Sequence, residues 1–463
     1  MDTAAVWPAG RLAEAIRARE LSSRELLEAY LDRIDRLDGE VNAVVTLDVE
    51  RARAAALAAD EATARGELVG PLHGLPITVK DAIETAGIRS TGGAVELAEH
   101  VPARDAPAVA RLRRAGAIVF GKTNLPRWST DVQSYNELFG TTCNPWQLDR
   151  VPGGSSGGAA AAVACGFTSF EVGTDIAGSV RIPAHCCGVF GLKPSYGVIP
   201  QRGYLDHVGG GTTDVDINVF GPLARSAADL TLLLDVLAGP DPQRCAAWRI
   251  ELPPPHGVTL SDFRIGFWFD DPAVVLERDY ADLLQTTVAG LSSVGARIEP
   301  AHPNVELAAQ VELFNAQLWA ALSPCLPEDL AEQLAGSHLQ WLRRDEQRAH
   351  YRQRWAAWFA HYDILLCPVM PTTAFPHNQE GTFDSRTLTV NGQQRPYPDT
   401  ISWTGLIGLV DLPSVVVPIG HTPAGLPAGL QVVAPFLHDR SAIHVAGLIA
   451  ELTGGYRPPQ RWA

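Results

Sequence analysis

Apolar and polar positions along this chain recur with two periods. Over residues 24–37, Leu27, Leu31 and Ile34 fall along one stripe of an amphipathic helix, and Ser22 with Glu25 forms the capping box that starts it. An Ala-rich helix follows over about 49–65, with further helices predicted at about 104–115, 227–237, 277–294, 305–322, 338–360 and 439–452. Between them lie short apolar runs bounded by glycine and proline: PITVK ending on Lys80, AIVFGK at 117–122, FEVG, VFGLKPS, RIGFWF, DILLCP, SVVVPI and GLQVVA. Runs of this length between turn residues read as buried strands. Their alternation with helices predicts an α/β fold, a large mixed, largely parallel sheet covered by helices on both faces. No repeat and no Pro/Gly/Ser linker divides the chain, so residues 1–463 are expected to form one domain. The polar, turn-rich stretch 377–402 reads as a long surface loop.

Composition narrows the function classes. Charged residues at 19% against 46% apolar describe a globular rather than a disordered chain. A formal charge of −15 without a basic stripe argues against nucleic acid as a partner. No apolar run reaches the length of a membrane span, and the start MDTAAVWPAGRLAEAI lacks the basic end and apolar stretch of a signal peptide. A cytoplasmic protein is the expectation. The seven cysteines are odd in number and contain no CxxC, which favours free buried thiols. No second pair of His or Cys stands at ligand spacing, so neither a metal nor a cofactor is implied.

Three segments hold candidate chemistry. GGSSGG at 153–158 reads as a glycine-rich turn capping a packed helix, or as the G-x-S-x-G of a nucleophile elbow. An elbow needs a strand directly before it, and NPWQLDRVP does not supply one; a phosphate loop lacks its Lys-Ser/Thr pair. GTDIAGSVRIPAHCCG at 173–188 packs Gly and Ala around Ser179, which lets backbone N–H groups converge on a serine oxygen; a tight strand-to-helix turn is the plainer reading. Lys80, at the end of an apolar strand, either snorkels to the surface or sits buried with a lowered pKa, as a base requires.

The order of these segments decides between the readings. GLPITVKD, then GGSSGG about 75 residues on, then TDIAGSVRIPA resembles the amidase signature family. The likeness extends over nearly the whole chain, through SSRELLEAYLDRIDRLDGEVNAVV, GKTNLPRWS, FGLKPSYGVIP, FGPLARSAADLTLLLDVLAG and the terminal LPSVVVPIG and GLPAGLQVVAP. It implies a Ser-Ser-Lys core within about 70–200, with Lys80 as base, Ser155 as the cis-peptide bridging serine and Ser179 as nucleophile. It also implies an oxyanion hole from the backbone N–H groups of Ile176, Ala177, Gly178 and Ser179. Gly154, Asp175 and Arg181 match positions that brace the site, and Ser156 is expected to be structural. Ala177 stands where many members carry glycine, and Cys187 matches a frequent cysteine with a packing role. The implied activity is hydrolysis of a carboxamide through an acyl-serine, with esters or carbamates as side substrates.

The family also includes the glutaminase-type component of a tRNA-dependent amidotransferase, which typically carries SLDQxGP after its signature. Here that stretch is YLDHVGGGTTDVDINVFGPLAR, which favours a free-standing hydrolase and keeps the amidotransferase component as the alternative. Tyr135, Trp319, Tyr397 and Trp403 are candidates to line the substrate site, the last three within a variable region at about 300–410. Aromatic walls favour a neutral apolar or aryl amide. The expected partner is therefore a small-molecule amide, with no nucleic acid and no membrane, and a homodimer as the assembly.

Overall fold

In the computed structural model, residues 4–462 are described; Met1–Thr3 of the amino-terminal stretch and Ala463 lie outside the described residues. The capping box forms as the sequence predicts. Glu25 N–H donates to Ser22 Oγ at 3.0 Å, and Ser22 N–H donates back to the Glu25 carboxylate at 2.9 Å. Helix Ser23–Val41 then buries Leu26, Leu27, Tyr30 and Ile34, and ends at Asn42 in the left-handed region, φ 56°. Helices Val49–Arg65, Ala227–Leu237, Arg278–Ser293, Leu307–Leu322, His338–Phe359 and Asp439–Thr453 fall within about two residues of their predicted bounds.

The central sheet has eight strands, and it is mixed. Its order is Arg297–Pro300, Arg264–Phe267, Ile364–Cys367, Pro427–Val433, Ser414–His421, Phe190–Lys193, Val219–Ala224, Glu171–Asp175. The parallel share is smaller than expected. Only the two pairs made by Arg264–Phe267 with its neighbours are parallel, and the other five are antiparallel. Burial on both faces gives continuous apolar runs whichever way the strands point, so the pattern carries no direction. Ser414–His421 and Pro427–Val433 are joined by the short turn 422–426, which permits only an antiparallel pair.

A second, three-stranded sheet orders Val44–Leu47, Ile118–Thr123 and Pro76–Lys80, the last two parallel. Between the sheets runs helix Gly157–Cys165, every residue of it buried. Small residues are required there: a Cβ on Gly158 would stand 2.4 Å from the Asn124 backbone nitrogen.

The stretch 377–402 is not a surface loop. It forms a hairpin, Thr387–Val390 with Gln393–Pro396, followed by a 3-10 turn Tyr397–Ile401, and buries Leu388, Val390, Tyr397 and Ile401. Asn391 and Gly392 at φ 54° and 77° make the turn, the Asn-Gly signal of a two-residue hairpin. The cysteines are all free, but only Cys165, Cys186, Cys187 and Cys367 are buried; Cys245 is exposed.

Candidate active site

Lys80 closes a strand that is buried along its whole length. Its Nζ donates to Ser155 Oγ at 2.6 Å and to Thr174 Oγ1 at 2.7 Å, and none of the side chain reaches solvent. The snorkelling reading is thereby excluded. Burial drives the lysine pKa well below its ordinary value, against the raising pull of Asp175 and Glu171. Glu171 is itself pushed up by burial to about 7, with Thr123 Oγ1 donating to it at 2.8 Å.

Ser155 follows a cis peptide bond from Gly154. Gly154 is wedged so tightly that a Cβ would meet the Gln133 nitrogen at 2.5 Å. Ser156 is structural, as expected. Its Oγ lies 3.3 Å from both the carbonyl and the amide nitrogen of Thr174, and its own N–H donates to the Ser179 carbonyl at 3.1 Å. One serine thus ties the glycine-rich loop to both ends of the TDIAGS turn.

That turn is braced by a buried ion pair. Arg181 Nη2 donates to Asp175 Oδ1 at 2.9 Å and Nε to Oδ2 at 3.0 Å, with both side chains inaccessible. Burial alone would raise the Asp175 pKa, but the Arg181 charge and hydrogen bonds outweigh it and bring it down to about 2. The guanidinium also donates to Thr404 O and Gln431 Oε1, each at 2.9 Å, and Thr404 Oγ1 donates to Ala177 O at 2.7 Å. Gly178 lies at φ 111°, a conformation that suits glycine. Its N–H is committed to Asp175 Oδ1 at 2.8 Å. Of the four backbone donors expected for an oxyanion, this leaves Ile176, Ala177 and Ser179 as candidates.

Ser179, 6% exposed, faces a narrow space walled by Ile176, Ala177, Leu318, Trp319, Leu322 and Ile401. Beyond it lies a chamber of about 680 Å³ lined by Tyr135, Trp319, Leu330, Phe383 and Arg386 among others. Of the aromatic candidates, Tyr135 and Trp319 border this chamber. Trp403 does not line the site: it is fully buried and packs edge-on against Trp268, ring centroids 5.5 Å apart. Tyr397 is buried behind the wall, its hydroxyl donating to Asp131 Oδ1 at 2.8 Å. Asp131, Phe383 and Arg386 were not anticipated, because nothing in the local pattern brings 131 and 386 together. Cys187 is buried, its Sγ donating to Pro152 O at 3.3 Å, and burial raises its pKa well above a reactive thiol's. A separate cavity of about 700 Å³, walled by Trp355, Phe359 and Phe436, contains no member of the Lys80–Ser155–Ser179 set.

The comparisons with known proteins agree on the family. The Amidase family profile matches residues 25–341 and 329–443. A glutamyl-tRNA(Gln) amidotransferase chain of Chromohalobacter salexigens, one component of that enzyme, is 32% identical and covers 96% of each sequence. Its counterpart in Moorella thermoacetica is 32% identical over 97% of each. A bacterial aryl acylamidase of the amidase signature family superposes with a TM-score of 0.84 at 25% identity over 96% of both chains. A 6-aminohexanoate cyclic dimer hydrolase gives 0.83 at 25%, covering 99% of this chain and 100% of its own. Among the described residues no helix is long and apolar enough to cross a membrane.

The relatives correct one expectation. Proteins that are components of an enzyme acting on glutamyl-tRNA overturn the partner set of a small molecule alone without nucleic acid. Net charge alone does not decide the partner, because a component of an assembly can serve a nucleic-acid reaction while another component carries the basic face. The chain is an enzyme of the carbon–nitrogen hydrolase class, and it belongs to the amidase signature family.

Proposed function

We propose that the protein is a serine amidase in which neutral Lys80 accepts a proton from Ser155, Ser155 accepts one from Ser179, and the Ser179 alkoxide attacks a carboxamide carbonyl. The single observation carrying this is the buried Lys80 Nζ–Ser155 Oγ hydrogen bond of 2.6 Å, with burial holding the lysine well below its ordinary pKa. Backbone N–H groups of Ile176, Ala177 and Ser179 receive the tetrahedral oxyanion, each good donor contributing about 3–4 kcal/mol. The proton returns through Ser155 to the leaving nitrogen, and water then attacks the acyl-serine by the same relay.

Two readings of the substrate are each supported by one observation. The shared name of the sequence relatives favours glutamine as the amide, with its ammonia passed on within an assembly, and this reading stands ahead on the comparisons. The apolar walls against Ser179 support a neutral apolar or aryl amide cleaved by a free-standing enzyme. One experiment tests both the chemistry and the choice. After a fluorophosphonate probe, intact-mass spectrometry is expected to show one adduct that Ser179→Ala abolishes. Ammonia release from glutamine and amine release from aryl amides are then measured on the same protein. An adduct on Ser155 that survives Ser179→Ala would sink the relay; release from aryl amides and none from glutamine would remove the amidotransferase reading.

A further inference from the structure

The space touching Ser179 and the outer chamber meet at a neck. By the same measure the inner space is about 30 Å³ and the chamber about 680 Å³. Thr130, Asp131, Trp319 and Phe383 line both, so they form the passage between them. Across it the rings of Trp319 and Phe383 stand edge to face, centroids 6.5 Å apart at 81°. Trp319 is fixed on helix Leu307–Leu322, whereas Phe383 belongs to the 377–402 segment, ahead of its hairpin.

What holds Phe383 in place is polar and buried. The Tyr397 ring packs edge-on against it at 5.2 Å, and the Arg386 guanidinium carbon lies 6.0 Å from its ring and 4.3 Å from that of Tyr397. Arg386 Nη2 donates to Asp131 Oδ2 at 2.7 Å, with the two side chains 5% and 6% exposed. Asp131 accepts three further donors: Tyr397 OH at 2.8 Å, Val132 N–H at 2.7 Å and Tyr135 OH at 3.0 Å. A carboxylate with four donors inside a protein has one strongly preferred arrangement, because removing any partner leaves charge in a low-dielectric setting.

Resting on the reading of Ser179 as nucleophile, we propose that Asp131 and Arg386 are positioning residues that hold Phe383 against Trp319, so that the enzyme selects carboxamides reaching Ser179 through a slender, unbranched segment while their bulk stays in the outer chamber. The chamber lining combines Leu326, Leu330 and Leu334 with Arg127, Asn136 and Gln379, which suits an amphipathic remainder. Glutamine, whose carboxamide stands on a short methylene chain, meets the requirement, and so does a linear aliphatic amide. An amide branched at the carbon next to the carbonyl does not.

The test compares two fluorophosphonates on the whole protein, one linear and one branched beside phosphorus, followed by mass spectrometry of the Ser179 peptide. The wild type is expected to react with the linear probe at least about tenfold faster, in line with what one methylene decides in a tight pocket. Phe383→Ala and Asp131→Asn are each expected to bring that ratio close to one, while Arg386→Lys, which keeps the charge, retains part of it. A ratio that stays at the wild-type value in a labelled Phe383→Ala protein overturns the neck and leaves the nucleophile standing. Absence of label on Ser179 with either probe overturns the nucleophile, and the proposal with it. Steady-state kinetics give a second readout: the KM of a bulky amide is expected to respond to Asp131→Asn more than kcat does, which general loosening would not produce.

Discussion

Two buried ion pairs flank the candidate site, and they are built differently. Asp175–Arg181 joins residues six apart in one turn, both wholly inaccessible, and every further donor of Arg181 goes to a fixed neighbour. Asp131–Arg386 joins segments 255 residues apart at the edge of a chamber, and its aspartate is shared with two tyrosine hydroxyls. The first holds the serine turn in a single shape and, in the proposed relay, serves the chemistry. The second holds a wall and belongs to substrate choice. Fixed geometry and adjustable specificity thus sit on separate devices within one site.

The widest separation between them is expected at the relay. Lys80→Arg keeps a cation but supplies no lone pair at neutral pH, so amide turnover is expected to fall by about 10³–10⁴-fold or more. The pH dependence sharpens this. With Lys80 working as the amine in the proposed relay, kcat/KM is expected to rise with pH and level off above the folded-state pKa, which burial holds well below 10.5. Glu171, titrating at about 7, and Asp175 are the acids that pull against Lys80. Ionisation of Glu171 makes Lys80 harder to deprotonate, so the acid limb is expected to be shallower than one proton per unit. The same lowered pKa makes folding stability rise with pH between the folded value and 10.5, because only the unfolded lysine binds a proton there. A flat rate profile from pH 6 to 10, with an active Lys80→Arg enzyme, would remove lysine from the mechanism.

Breaking the turn's own pair comes next. Arg181→Leu leaves Asp175 buried without its cation, and a loss of about 3–5 kcal/mol is expected in chemical denaturation. In the wild type the Asp175 pKa of about 2 lies below its ordinary 3.8, so the stability it contributes is full above that value and lost as pH falls through 2. Asp175→Asn removes the charge but keeps an acceptor, and is expected to destabilise less while still lowering kcat, since Gly178, Val180 and Arg181 N–H all point at that carboxylate. A variant with normal stability and unchanged kcat would separate the pair from the site.

The sequence carried these two devices unequally. The proposed relay was read from the order of GLPITVKD, GGSSGG and TDIAGS and the family resemblance that order carries, and the geometry adds why small residues stand there: a Cβ on Gly154 would meet the Gln133 nitrogen at 2.5 Å and one on Gly178 the Thr404 Oγ1 at 2.6 Å. Helix bounds were legible from capping and from periodicity. Strand direction was not, since a strand covered on both faces looks the same either way. Tyr135 and Trp319, chosen as aromatic residues in variable family segments, border the chamber, whereas Trp403, chosen the same way, lies in the core, because an aromatic side chain is equally at home there. Asp131, Phe383 and Arg386 acquire their meaning only when the 377–402 segment folds over the 127–135 loop. The Asn391-Gly392 turn would have revealed the hairpin, but not what the residues ahead of it cover.

The smallest effect is expected where the wall has most redundancy. Tyr135→Phe removes one donor from Asp131 Oδ2, the hydroxyl at 3.0 Å, while Arg386 Nη2 remains on the same oxygen at 2.7 Å. The other oxygen keeps Tyr397 OH and Val132 N–H. A single hydrogen bond to a charged group carries about 1.5–3 kcal/mol, but three partners persist and Tyr135 borders the open chamber, where water takes the vacated position. The net cost is therefore expected to be about 1 kcal/mol or less in denaturation. Because Phe383 is held through Arg386 and Tyr397 rather than through Tyr135, the linear-to-branched probe ratio is expected to move by less than about twofold. Tyr397→Phe should move it further, since that ring touches Phe383 and its hydroxyl anchors Asp131. Measuring both variants with the two probes orders the wall: if Tyr135→Phe shifts the ratio as much as Tyr397→Phe, the support runs through the chamber's rim and not through the buried pair.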